Sequence, residues 1–368
     1  MKRQWRNFDV LLLLVTIGIT ALGVALIYSA SFSAEAGEPL LEHNFFRQAI
    51  FGLGGLLILL LTASIDYHLL EHVHWLIYAA ILGVLGVVVA VGQVGFGAQS
   101  WLSLRHAVQP SELAKVLLII VLAKYLADHQ VQRERLDWLL LSALLVTPVV
   151  FLVFRQPDVG TATVLVAIWL GMVFAAGAPL SHLALLGLGL GAVVPVLWVS
   201  LKDYMKQRIL VFVNPSSDVS GISYNAQQAR ISIGSGGWFG KGFLHGTQSQ
   251  LYFLRVRHTD YVFSVLCEEL GFVGAVILLL LLFVLLWRIL RAARMAQDAF
   301  GRLIACGVAT MIFFQSFVNI AVNVGLLPVT GLTLPLVSYG GSSLWATLFG
   351  IGLVESVVMR YRKLEFGD

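Results

Sequence analysis

From residue 9 to residue 358 the chain is a succession of apolar runs broken by short polar connections. Each run is about 20 residues long, the length a helix needs to cross the hydrocarbon core of a bilayer. In lipid, backbone N–H and C=O groups find no water, so a crossing segment must be a helix or a strand of a closed barrel. The runs lack the period-two alternation of barrel strands, which leaves helices. They fall at roughly 9–31, 45–65, 73–92, 111–127, 137–154, 159–177, 181–200, 260–287, 302–326 and 334–358. The chain is therefore predicted to be an all-α integral membrane protein of about ten transmembrane helices. Composition agrees, with 58% hydrophobic and only 12% charged residues, against about 25% charged in soluble domains. Cys267 and Cys306 both sit in apolar runs, which excludes a disulfide framework and a cysteine metal site. The first run is long enough to span and no Ala-x-Ala-like cleavage pattern stands near residue 30, so it reads as a span rather than a removed signal. No repeat or soluble segment divides the chain, so a single polytopic domain over 1–368 is expected. A net charge of +4 gives no ground for a nucleic-acid partner.

Charge in the connections sets the expected orientation. Lys2, Arg3 and Arg6 precede the first run, and Lys124, Arg133 and Arg135 mark the fourth-to-fifth connection. Arg288, Arg291 and Arg294 mark the eighth-to-ninth, and Arg360, Arg362 and Lys363 follow the last. With an even number of spans all four segments face the cytoplasm, together with both termini. The first connection, with Glu35, Glu38 and Glu42, then lies outside. So does a long loop over about 201–259, whose basic residues include Arg208, Arg230 and Lys241. Long loops translocate largely regardless of charge, so these cations do not overturn the orientation. A loop of this length usually has a function; short interfacial helices are expected in it.

Ionisable groups at membrane depth are costly, which makes them functional candidates. Five groups stand out. In Gln109-Pro110-Ser111-Glu112-Leu113-Ala114-Lys115, Pro110 and Ser111 read as a helix start with Ser111 as N-cap, and Glu112 and Lys115 can pair at i,i+3. That pair is equally readable as a packing device. In Arg155-Gln156-Pro157-Asp158-Val159-Gly160-Thr161, Asp158 is a polar-site candidate or simply a helix cap. The long loop carries Arg208, Asn214-Pro215, Asp218, Gly221, Tyr224, Gln227 and Arg230, then Gly234-Ser235-Gly236-Gly237-Trp238-Phe239-Gly240-Lys241-Gly242. Its glycines permit close backbone approach to a ligand, but it lacks the Lys-Ser/Thr ending of a nucleotide loop. In His258-Thr259-Asp260-Tyr261-Val262-Phe263, Asp260 begins the eighth span, with Ser264 and Glu268 following on broadly the same face. A cap role for Asp260 is the plainer alternative, and the spacing of His258, Asp260 and Glu268 matches no strong metal motif. Last come Pro328-Val329-Thr330-Gly331 and Leu334-Pro335-Leu336-Val337-Ser338-Tyr339-Gly340-Gly341-Ser342-Ser343, whose small residues could serve packing alone. Together the groups collect on one face around a basic loop. That pattern suits an anionic, lipid-linked substrate, handled by either an enzyme or a transporter.

In these motifs, in this order, the sequence resembles the SEDS family (shape, elongation, division and sporulation) over nearly its whole length. Gly242-Phe243-Leu244-His245-Gly246-Thr247-Gln248-Ser249-Gln250 is more similar to the elongation branch than to the division branch. The resemblance implies a peptidoglycan glycosyltransferase of the bacterial cytoplasmic (inner) membrane. It would polymerise lipid II into a nascent glycan strand beside a class B penicillin-binding protein transpeptidase and other elongation-complex membrane proteins. It carries the catalytic role onto Asp260, and supporting roles onto Glu112, Lys115 and Asp158; Tyr261 and Val262 are mild departures. His258 and Ser343 belong to matched motifs and are candidates to support substrate. The implied reaction is attack of a sugar hydroxyl on an anomeric carbon bearing a diphosphate, with inversion and Asp260 as general base. The leaving diphosphate needs positive charge more than an acid. Lys115, Arg208 and Lys241 are candidates, and a divalent cation, Mg2+ or Mn2+, could share the task. A lipid II flippase or a non-catalytic scaffold of the cell-wall machinery are the alternatives.

Overall fold

The computed structural model describes residues 5–32, 39–91, 93–95, 98–101, 109–201, 203–214, 222–254 and 256–361. Lys2, Arg3, Glu35, Glu38, Pro215, Asp218, Gly221, Arg362 and Lys363 lie outside these residues.

A long helix forms at each of the expected positions. They are α1 (Val10–Ser31), α2 (Asn44–Ser64), α3 (Leu69–Val91), α4 (Pro110–Asp128), α5 (Leu136–Arg155), α6 (Val159–Ala175) and α7 (Leu180–Ser200). After them come three shorter helices, α8 (Asp203–Val213), α9 (Ile222–Ser235) and α10 (Thr247–Gln250), in the expected long loop. The chain closes with α11 (Val262–Met295), α12 (Ala299–Asn323) and α13 (Gly341–Met359). A short antiparallel pair not expected from the sequence, β1 (Gln93–Gly95) and β2 (Ala98–Trp101), joins α3 to α4.

Among the described residues seven helices are long and apolar enough to cross a membrane: α1, α2, α3, α5, α11, α12 and α13. The chain is thus a multi-pass, all-helical membrane protein. α6 has 17 residues, and α4 carries Glu112, Lys115, Lys124 and Asp128. α4 tolerates these charges because it runs through the middle of the bundle. Its neighbours α3, α6, α12 and α13 exclude lipid from most of its surface, and ionisable groups at membrane depth face a bundle interior.

Three expectations at helix ends are corrected. Gln109, not Ser111, is the N-cap of α4, because Pro110 fills the first helical position, where its missing N–H is not needed. The last helix starts at Gly341 rather than near 334. Pro335 and Leu336, the latter at φ 66°, keep the preceding segment irregular. Finally, α11 extends to Met295 and is interrupted at Gly271, where φ is 66° and ψ −162°.

The glycine-rich loop after α9 explains the interruption. Phe272 N donates to Gly237 O at 2.9 Å and Val273 N to Trp238 O at 3.1 Å. In return Lys241 N donates to Glu268 O at 2.9 Å and Gly242 N to Glu269 O at 3.0 Å. Loop backbone thereby takes over the hydrogen bonds that the broken helix cannot make for itself. A Cβ on Gly240 or Gly271 would overlap the facing backbone. Of the loop's glycines, Gly236 and Gly240 admit this helix.

Polar contacts divide the bundle ends. At one end Asp9 pairs with Arg288, and Asp9 N donates to Glu355 Oε2 at 3.1 Å. There too Tyr67 donates to Asp298, Lys124 lies 3.2 Å from Glu71, and Arg360 lies 3.1 Å from Asp66. These contacts join the N-terminal segment, the α2–α3, α4–α5 and α11–α12 connections, and the end of α13. The five sequence motifs occupy the other end.

Candidate functional site

The irregular segment 328–340 and the start of α13 form a hub for four of the five motifs. Val329 O accepts from Arg208 Nη1 of α8 at 3.4 Å. The Leu332 carbonyl accepts from Asn319 Nδ2 of α12 at 2.7 Å. Ser338 Oγ donates to Thr259 O at 2.6 Å, and Tyr339 N donates to His258 O at 2.9 Å. Gln109 N donates to Ser342 Oγ at 2.9 Å, and Ser343 Oγ lies 2.9 Å from Thr333 Oγ1. Gln48 of α2 joins as well, donating to Ser338 O at 3.1 Å and accepting from Gly340 N at 3.2 Å. Gly23 of α1 sits directly on the Val337 backbone, so the segment has no room to shift toward that helix.

Asp260 stands at this hub, in the turn before α11. It is not the helix cap. Tyr261 holds that position and makes no side-chain cap bond, so the simplest structural role for the carboxylate falls away. The Asp260 backbone is anchored instead: its carbonyl accepts from Asn319 Nδ2 at 3.0 Å and from Asn323 Nδ2 at 2.9 Å. Burial pushes the Asp260 carboxyl up to about 6, while the nearby Arg208 guanidinium and a hydrogen bond with Thr259 pull the other way. The residue as a whole is half-buried. His258 keeps an edge-to-face contact with Tyr339, and burial lowers the pKa of its ring.

Arg208, whose charge acts on Asp260, also lines a cleft of about 140 Å3 that α8 and α9 enclose against the end of α12. Arg208 and Arg230 line it together with Ser223, Phe212, Val322 and Val329. Its walls are mostly apolar, with two cations at its rim. Two guanidinium groups in such a lining suit an anionic group such as a phosphate.

Glu112, Lys115 and Asp158 form a neighbouring polar group. Lys115, 1% exposed, donates to both Glu112 oxygens at 2.9 Å. Asp158 caps α6 through Thr161 N at 2.9 Å and also accepts from Gln109 Nε2 at 3.1 Å. One carboxylate thus ties the start of α4 to the start of α6. Burial raises the Asp158 pKa, against the hydrogen bonds from Thr161; the Glu112 charge adds to the rise and the Lys115 charge opposes it.

Lys241 belongs to a separate cluster. It pairs with the fully buried Glu268 at 2.8 Å and donates to Thr247 Oγ1 at 2.8 Å. Glu268 also accepts from Gln248 N at 3.0 Å. This cluster latches the glycine-rich loop to α11. Among the described residues one trio of side chains could hold a metal ion, namely His68, Glu71 and Asp298. It lies at the opposite end of α12, whose 25 residues separate Asp298 from the Asn323 that holds Asp260, about 37 Å at 1.5 Å per residue.

Asn319, Asn323 and Gln48 escaped the sequence reading. Their signal was present: each is a buried amide in an otherwise apolar helix, and the two asparagines are spaced i,i+4 on one face.

Comparisons with known proteins cover nearly the whole chain. Residues 9–363 match the family model FtsW/RodA/SpoVE, described as "Cell cycle protein". The chain is 38% identical over 362 residues to the probable peptidoglycan glycosyltransferase FtsW of Trichlorobacter lovleyi, covering 95% of this chain and 93% of that one. It is also 38% identical over 353 residues to the peptidoglycan glycosyltransferase MrdB of Escherichia coli, with the same two coverages, 95% and 93%. Among solved structures it resembles the rod shape determining protein RodA of Thermus thermophilus, with a TM-score of 0.72 at 36% identity over 98% of this chain and 99% of that one. It resembles a chain from a study of the structural coordination of polymerization and crosslinking by a peptidoglycan synthase complex more strongly, with a TM-score of 0.81 at 38% identity over 95% of this chain and 97% of that one. This chain is a member of the FtsW/RodA/SpoVE family.

Proposed function

We propose that the protein is a peptidoglycan glycosyltransferase that polymerises lipid II, with Asp260 as general base. The observation that carries this reading is the state of Asp260. Its backbone is anchored by two buried amides while its carboxylate serves no cap, and the Arg208 whose charge acts on it lines a cleft with Arg230. A carboxylate with a pKa near 6 is ionised at neutral pH yet basic enough to accept the proton of an acceptor hydroxyl as the new C–O bond forms. The bond from the anomeric carbon to the diphosphate breaks, and the diphosphate leaves with the electron pair. Attack opposite the leaving group inverts the anomeric centre. Arg208, with Arg230 behind it, is positioned to neutralise the departing charge. Lys115 and Lys241 are committed to Glu112 and Glu268, so their part is to hold the site's walls. A divalent cation, Mg2+ or Mn2+, would arrive with the diphosphate and share the neutralisation of its charge.

The orientation follows from the two polar ends. The end that carries Arg288, Lys124 and Arg360 faces the cytoplasm with both termini, and the Asp260 end faces outward, where lipid-linked sugars are presented. The whole chain acts as one polytopic domain with ten spans. A class B penicillin-binding protein is the proposed partner, supported by the likeness to a chain of a peptidoglycan synthase complex. Other elongation-complex membrane proteins complete the assembly.

One observation favours a flippase: α11 is broken at Gly271, and interrupted helices line transporter sites. Here, however, the break is filled by the backbone of the glycine-rich loop. Purified protein in liposomes with labelled lipid II separates the readings. Polymer made without any other glycosyltransferase is expected, and Asp260→Asn should lower its rate by about a hundredfold or more at normal accumulation. Lipid II crossing the bilayer without polymer would establish the flippase; neither result would leave a scaffold.

A further inference from the structure

We propose that Asn319 and Asn323 are positioning residues for Asp260, acting through its main-chain carbonyl. The inference rests on the reading of Asp260 as the base. Both asparagines are buried, at 2% and 0% exposure, one turn apart near the C-terminal end of α12. Asn319 Nδ2 donates to the carbonyls of Asp260 at 3.0 Å and Leu332 at 2.7 Å. Asn323 Nδ2 donates to Asp260 O at 2.9 Å and to Asn319 O at 2.9 Å. The Asn323 side-chain oxygen accepts from Ser264 N at 3.1 Å and Ser264 Oγ at 2.7 Å.

The consequence is geometric. Ser264 N is taken by Tyr261 O and the Asn323 oxygen, so the first turn of α11 leaves the Asp260 carbonyl to side-chain amides. A carbonyl has two lone pairs, and two amides from one rigid helix face occupy them. That fixes the peptide plane after Asp260, and with it the direction in which the carboxylate leaves the backbone. Asn319 also holds Leu332, three residues beyond the carbonyl that accepts from Arg208. One amide therefore sets Asp260 and the segment that accepts from Arg208 in a common frame. Misplacement of a reacting group by about 1 Å can cost a hundredfold in rate. A purely structural amide pair would stabilise the bundle without this selectivity, since buried amides also serve helix packing in membranes.

The test uses full-length protein in liposomes and lipid II polymerisation, with folded protein quantified by thermal unfolding. Asn319→Leu keeps the side-chain volume and removes both donors. Its kcat per folded molecule is expected to fall about ten- to a hundredfold, with KM for lipid II within about twofold. Asn319→Ser, smaller and polar, is the second variant and should behave alike. Added to Asp260→Asn, either change should cause no further loss, because both act on one group. Unchanged kcat per folded molecule, or losses that multiply with Asp260→Asn, would overturn the proposal. Failure of both variants to fold would assign the amides to packing and overturn it too. A fully active Asp260→Asn protein would instead remove the base itself, which distinguishes failure of the underlying reading from failure of this inference.

Discussion

A carboxylate works as a base only while it is ionised, and the surroundings of Asp260 set where that happens. Burial raises its pKa to about 6, and Arg208 is the cation that opposes the rise. His258, two residues away, has its own pKa lowered by burial and by Arg257. The sign follows: polymerisation should be full above the Asp260 pKa and decline as pH falls through about 6. Arg208→Gln removes the opposing charge, so the acidic limb should move to higher pH, and the rate on the plateau should also drop because the diphosphate loses a cation. A pH–rate profile with an unmoved limb would separate Arg208 from Asp260. Single residues of this kind were legible in the sequence because an ionisable group beside an apolar run is expensive and stands out. Asp260, Asp158, Glu112 and Lys115 were found that way. Asn319 and Asn323 were not, since an uncharged amide in a spanning helix is common and its partners are distant carbonyls that only the fold brings near. The positions of Lys115 and Lys241 were equally legible, but their engagement with Glu112 and Glu268 was visible only in part. The i,i+3 spacing announced the first pair, whereas 27 residues separate the second.

At the scale of elements, α4 is a helix whose sequence appears too charged for its place. The Glu112–Lys115 pair resolves this, because each charge neutralises the other inside a bundle that keeps lipid away. Breaking such a pair from one side leaves a buried charge and typically costs about 3–5 kcal/mol, while replacing both partners by apolar residues is often neutral. Lys115→Met should therefore accumulate poorly. Glu112→Leu combined with Lys115→Met should accumulate normally yet polymerise slowly, because the polar start of α4 beside Asp158 is lost. Membrane-fraction yield and lipid II turnover, measured on the same preparations, check both halves. Normal turnover in the double variant would reduce the pair to a packing device. The run lengths gave the helix positions to within a few residues at most ends, since hydrophobic length is a direct physical requirement. The departures occur where backbone bonds are completed by another segment. The break in α11 needs Gly237 and Trp238 to receive its amides, and the late start of α13 needs Gln48, Thr259 and His258 to hold the chain before it. Neither dependence leaves a mark in local hydropathy.

For the whole molecule, the separation of two polar ends joins structure to function. In the proposed reaction lipid-linked substrate meets Asp260 at one interface, while the other end is closed by ion pairs joining Asp9 to Arg288 and Asp66 to Arg360. Those closing pairs gather the basic connections that the positive-inside trend assigns to the cytoplasm. The basic residues of α8 and α9 lie instead at the Asp260 end, where an anionic diphosphate gives them a task. Charge counting alone would pull that segment inward, so orientation is the property in which electrostatic bias and proposed chemistry make opposing demands on one loop. Reporter fusions after Arg135, between α4 and α5, and after Asn214, between α8 and α9, discriminate. A reporter active only in the cytoplasm should be active at the first position and silent at the second, and a reporter active only outside should give the reverse. Equal activity at both positions would mean that α5, α6 and α7 do not make an odd number of crossings, and the Asp260 site would then face the wrong side for lipid II delivered at the outer surface.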